Sequence, residues 1–115
     1  LTQVDDPHFS AFEWQRGFRY RIAAKARWTS PGYKGKKAWM TIRLEVKEGG
    51  GWRLLAKNRE AKLQRQFVRV SAGCVKGSRR LYRAVADTDI FGVFDSRNKS
   101  RREGWVTCLP WNADA

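Results

Sequence analysis

From Phe18 to Trp28 apolar and polar side chains alternate. Phe18, Tyr20, Ile22, Ala24, Ala26 and Trp28 fall on one face, and Arg19, Arg21, Lys25 and Arg27 fall on the other. A period of two marks a strand with one face buried and one wet, the usual state of an antiparallel sheet. The same rhythm returns in Met40, Ile42, Leu44 and Val46, set against Thr41, Arg43, Glu45 and Lys47. The run Glu48-Gly49-Gly50-Gly51 then supplies a hairpin turn, because glycine adopts positive φ readily. Trp52–Lys57 is the expected return strand. Residues 58–66 are polar and read as a loop or one helical turn. Phe67–Cys74 and Arg79–Asp87 are further strands, the former placing Val68, Val70, Ala72 and Cys74 inward. Residues 88–104 read as a long connection around Ile90, Phe91, Val93 and Phe94, and Trp105–Leu109 is the last strand before Pro110.

Six short strands with regular turn signals predict an all-β fold, a two-layer antiparallel β-sandwich of Ig-like character. Tyr20, Ile22, Trp28, Ile42, Leu44, Leu54, Val68, Val70, Tyr82 and Val106 are the expected core. Residues 17–115 form the sandwich domain. Residues 1–16 stand apart as an acidic, aromatic segment that either covers a sheet edge or projects from the body.

Charge sharpens that division. The 115 residues carry 24 Lys and Arg against 11 Asp and Glu, a net of +13. The first 15 residues hold Asp5, Asp6 and Glu13 and no Lys or Arg, so every Lys and Arg lies between Arg16 and Arg102. Such a field attracts anionic partners: nucleic acid, an anionic cell-surface polymer or an acidic protein face. No apolar run approaches the roughly 20 residues that span a bilayer. Leu1 leads straight into polar sequence, so an exported protein would be the mature chain with its leader removed.

Cys74 and Cys108 allow a single pairing. A bridge closing a loop of roughly 35 residues stabilises a domain by about 3–4 kcal/mol, and it is favoured over two buried thiols. One distant histidine and two thiols do not compose a zinc site, and no residue pattern calls for a cofactor or metal. His8 sits in the acidic segment beside Pro7, where a surface or packing role outweighs acid–base chemistry. Asp87, Asp89 and Asp95 have carboxylates suited to Ca²⁺ or to a glycosidase pair, but arginine pairing and loop capping are the stronger readings.

The basic positions carry the main functional signal. Arg19, Arg21, Lys25 and Arg27 make a row that Arg43 and Lys47 extend onto a neighbouring strand. Lys34, Lys36 and Lys37, then Arg79 and Arg80, then Arg97, Lys99, Arg101 and Arg102, form loop clusters. Arrays of this kind bind phosphate polymers with steep salt dependence. Exposed aromatics among Tyr33, Trp39, Trp52 and Trp111 would add base stacking. The alternative is a cationic surface that only solubilises the chain. Val4, Phe9, Phe12 and Trp14 in the first segment suit capture by a partner as an added strand, or folding back on an oppositely charged body.

The size, strand pattern and cysteine pair resemble the small β-sandwich proteins that bacteria secrete. The cysteine strands together with Tyr82-Arg83-Ala84-Val85-Ala86-Asp87 resemble the adaptor subunits of bacterial umbrella toxin particles, a likeness that spans about half the chain. That resemblance implies an exported, non-enzymatic module that links other subunits through Thr2–Trp14. The expectation is therefore an extracellular interaction module with a protein partner bearing an acidic surface. A cationic binder of nucleic acid or another anionic polymer is the alternative, and a small secreted toxin or nuclease domain using His8, Asp87 and Asp89 is the third.

Overall fold

The computed structural model describes residues 1–93 and 98–110. In chain order the elements are β1 (Thr2–Val4), β2 (His8–Phe9), α1 (Ala11–Gly17), β3 (Arg21–Trp28), β4 (Lys37–Glu48), β5 (Gly51–Leu63), β6 (Val68–Gly73), β7 (Arg79–Ile90) and β8 (Asn98–Thr107). They build two antiparallel sheets that bury the predicted alternating faces against each other.

The first sheet is organised by β3. Ala26 pairs with Val4 of β1 on one edge and Val68 of β6 on the other. Ile22 likewise pairs with Phe9 of β2 and Ala72 of β6, so β1 and β2 follow one another along a single edge. The second sheet runs β5-β4-β7-β8. Ile22, Ala24, Ala26 and Trp28 face Met40, Ile42, Leu44, Tyr82, Ala84 and Ala86 across the core. The Trp28 indole N–H, buried with the ring, donates to the Lys62 carbonyl at 3.0 Å, which satisfies its one polar atom.

The Cys74–Cys108 disulfide joins the chain just after β6 in the first sheet to the chain just after β8 in the second. Backbone bonds from Gly77 N–H to the Cys108 carbonyl and from Cys108 N–H to the Ser78 carbonyl brace the same corner.

Several expectations are corrected. Residues 58–63 are strand, because β5 stays paired with β4 as far as Leu63. The 88–104 connection is shorter than expected: β7 runs to Ile90 and β8 starts at Asn98. Leu54 is 46% exposed, since a register shift opposite Leu44/Glu45 turns it outward and brings Leu55 against the core. Phe18 is 72% exposed because it ends a helix rather than beginning β3. That helix, α1, lies in the segment to which the alternation assigns no element: the Ser10 hydroxyl accepts from the Glu13 N–H at 3.2 Å, and Phe18 closes the C-terminus at φ 53°.

Candidate functional site

The acidic segment is folded onto its own domain. Val4 and Phe9 lie in the core, and Thr2 is buried with its hydroxyl 2.6 Å from that of Thr88. Trp14 is half-buried against Phe9, Tyr20 and Phe18, all in edge-on contacts. Of the four residues suited to partner capture, Phe12 alone projects, with the Arg16 guanidinium over its ring. Each acidic residue of the segment meets a base of the body: Asp5 with Lys25 at 3.7 Å, Asp6 with Arg102 at 2.8 Å, and Glu13 with Arg19 at 3.6 Å.

These pairs alter the predicted basic row. Its members do not come together. Arg19 lies between α1 and β3, while Arg21, Lys25 and Arg27 face outward from the first sheet. Arg43 and Lys47 face outward from the second, on the opposite side of the sandwich, because β4 pairs with β5 and β7 and not with β3. On the first sheet the cations are already engaged. Arg21 donates to the Ser71 hydroxyl and carbonyl, Lys25 pairs with Asp5, and Arg27 donates to Gln3. Lys25, Arg27 and Arg69 also surround the Phe67 ring at 4.5–5.5 Å. A groove of about 570 Å³ between α1 and β6 is floored by Ala23 and Ser71 and flanked by His8, Glu13, Lys25 and Arg69. His8 Nδ1 sits 3.0 Å from the Asp6 carbonyl oxygen.

The second sheet presents a different surface. Pairing places side chains in cross-strand rows on its outer face. Lys57, Arg43, Val85 and Arg101 form one row across β5, β4, β7 and β8; Arg59, Thr41, Asp87 and Lys99 form the next. Arg43, Lys57, Arg59, Lys99 and Arg101 are all exposed, and among the described residues none of the five makes an ion pair. Small Val85 between long neighbours leaves a depression of about 360 Å³ rimmed by Arg83, Lys99 and Arg101. Asp87 is half-buried, and its Oδ1 is buried without a hydrogen-bond partner among the described residues.

Aromatic rings bound this cationic band. Toward the Gly49–Gly51 turn, where Gly49 has φ 60°, Trp52 sits beside Lys47, and Trp105 beside Leu81 at the same level. Lys47 and Arg83 lie over the Trp52 ring at 5.3 and 4.3 Å, and Arg79 over Trp105 at 5.1 Å. At the other end Trp39 packs against Phe91, with Arg59 4.6 Å above its ring. Between the turn-side rings and the band, Arg83 and Glu45 form a tight pair with little exposure. Arg53, by its hydrogen bond and charge, holds the Glu48 carboxyl below the usual range, with Arg80 assisting.

Lys34 and Lys36 are exposed in the β3–β4 loop, and Lys37 opens β4. Lys99, Arg101 and Arg102 lie on β8 rather than in a loop, paired with Asp87, Val85 and Ala84. Arg97, Phe94, Asp95 and Trp111 lie outside the described residues. His8 is on the outer side of the first sheet and Asp87 and Asp89 on that of the second, so these three do not converge. Among the described residues no group of three or more His, Cys, Asp or Glu comes together, and no helix is long and apolar enough to cross a membrane.

No protein-family model, curated protein or solved structure matches the chain.

Proposed function

We infer that this protein is a non-catalytic binding module that captures an anionic partner on the outer face of the β5-β4-β7-β8 sheet, and that it works outside the cytoplasm. The observation that carries the reading is the uneven engagement of its cations. On the first sheet Lys25 pairs with Asp5, and Arg21 and Arg27 donate to Ser71 and Gln3, whereas among the described residues Arg43, Lys57, Arg59, Lys99 and Arg101 make neither an ion pair nor a side-chain hydrogen bond, Arg59 alone lying over a ring. Five cations on one face repel one another, a repulsion that Asp87 beside Lys99 offsets only in part, and an anionic partner relieves the rest. The Cys74–Cys108 disulfide favours an oxidising compartment.

A linking role for the first segment, implied by the resemblance to secreted adaptor subunits, would require β1 and β2 to leave β3 and Phe9 to leave the core. The second-sheet face needs no such rearrangement.

Binding to inorganic polyphosphate tests the charge reading. If the five cations neutralise about five charges, affinity falls by about a hundredfold between 50 and 200 mM salt. Arg43→Gln, Lys57→Gln and Arg101→Gln together should abolish most of that slope. Arg21→Gln with Arg27→Gln on the other sheet should leave it nearly intact. Equal loss from both sets, or affinity indifferent to salt, rejects the assignment.

A further inference from the structure

We propose that the outer face of the second sheet is a stacking platform for single-stranded nucleic acid, an inference that rests on the cationic reading of the same face. The decisive feature is the alternation of π-surface and charge along the strands. Trp52 and Trp105 stand at one level on opposite edge strands, about 14 Å apart across three strand spacings. The level of Arg43 lies four residues further along β4, about 13 Å away, and that of Trp39 another four. A strand laid from the Trp52–Trp105 level toward Trp39 meets rings, then the row of Glu45, Arg83 and Glu103, then Arg43, Lys57 and Arg101, then Arg59 and Lys99 with Asp87 between them, then Trp39 and Phe91 beside Asp89.

Flexible single strands suit this order, because their bases swing toward rings while phosphates follow the cations. The guanidiniums over Trp39, Trp52 and Trp105 do not oppose stacking, since an arginine plane is itself a surface on which a base rests. A duplex keeps its base faces hidden, and the four-stranded face offers it only phosphate contacts. An acidic protein surface would use the cations but has no need of rings separated by charged rows. Trp105 is 59% exposed, which leaves much of its ring open to a base.

The test uses the full chain with its disulfide intact and four probes at one salt concentration: oligothymidylate, polyphosphate of matched charge, a short duplex and polyglutamate. Oligothymidylate should bind at least tenfold more tightly than the other three and quench tryptophan emission. Trp105→Leu should weaken oligothymidylate at least about fivefold, the lower end for loss of one stacked base, and leave polyphosphate unchanged. Trp105 is exposed, so the variant should keep the wild-type unfolding midpoint, and the probe comparison decides the matter without any variant. Equal affinity for oligothymidylate and polyphosphate, without quenching, overturns the stacking proposal and leaves the cationic reading standing. Polyglutamate binding as tightly as oligothymidylate also overturns it, in favour of an acidic protein. Failure of all four probes removes both.

Discussion

Replacing Phe9 by alanine tests whether the acidic segment is part of the fold or an arm available to a partner. Phe9 is 0% exposed, and Phe12, three residues on, is 60% exposed. The two share chemistry and chain region, so burial is the main variable. Phe9 pairs through its backbone with Ile22 and packs edge-on against Trp14 and Tyr20, with centroids at 6.2 and 6.1 Å. Its truncation removes a whole aromatic side chain from a closed site and leaves a void, a change that costs about 3–5 kcal/mol. Phe12 is mostly exposed, and its truncation removes the contact with Arg16, worth about 0.5–1 kcal/mol at an exposed site.

Small domains have about 5–15 kcal/mol of stability in total, so Phe9→Ala should lower the urea midpoint deeply and Phe12→Ala hardly at all. Unfolding followed by tryptophan fluorescence, with the disulfide intact, measures both. An unchanged urea slope in Phe9→Ala would show that the segment melts with the sandwich. Overlapping curves for the two variants would refute the placement of β2 in the core. Loss of amide protection over residues 1–17 alone, with global stability unchanged, would make the segment a detachable arm.

Two further predictions concern the interior. Replacing Cys74 and Cys108 together by serine should cost about 4 kcal/mol by the loop-entropy estimate for their separation of 34 residues; a urea midpoint within error of wild type would show that the corner bonds around Gly77 and Ser78 suffice without the bridge. Burial raises the Tyr82 pKa above its ordinary 10.0 despite the opposing charge of Arg80; because the folded state then holds the proton more tightly, its contribution is complete below pH about 10 and is lost as pH rises through the folded value. Tyr82→Phe should flatten that alkaline decline, and parallel pH profiles for the two proteins would count against it.

Much of the architecture was legible because a period of two survives wherever one face is buried. Burial alternates throughout residues 21–28, and along residues 38–44 until buried Glu45 breaks the rhythm, and the inward residues of both stretches form the centre of the core. Legibility failed where strands meet solvent on more than one side. The inward side of edge strand β8 carries Ser100, Arg102 and Gly104 opposite Ala86, Ala84 and Tyr82, so no alternation marks it. The β5 stretch from Asn58 to Leu63 is masked in the same way, and the bulge near Leu54 reverses the in–out sense partway along. The short helix had a readable signal, Ser10 followed three residues later by Glu13, the spacing of a capping box.

The site was less legible than the fold. Alternation tells which residues point outward but not from which sheet, so Arg21 and Arg43 looked like neighbours although the core separates them. The signal that sorts them is electrostatic. Three carboxylates sit in the first 15 residues, and in the fold each reaches a base near the β3 side of the sandwich or on β8. Removing them should therefore create binding where the wild type has little. The variant carrying Asp5→Asn, Asp6→Asn and Glu13→Gln raises net charge by three and frees Arg19, Lys25 and Arg102. These are exposed pairs worth well under about 1 kcal/mol each, so folding should persist. Arg43→Gln, Lys57→Gln and Arg101→Gln added to this variant should leave appreciable, salt-sensitive polyphosphate binding, whereas the same three changes in the wild-type background should leave only the weaker binding that Arg59 and Lys99 sustain. Identical residual binding in both backgrounds would mean that the acidic segment does not screen the first sheet, and the contrast between the two faces would lose its cause.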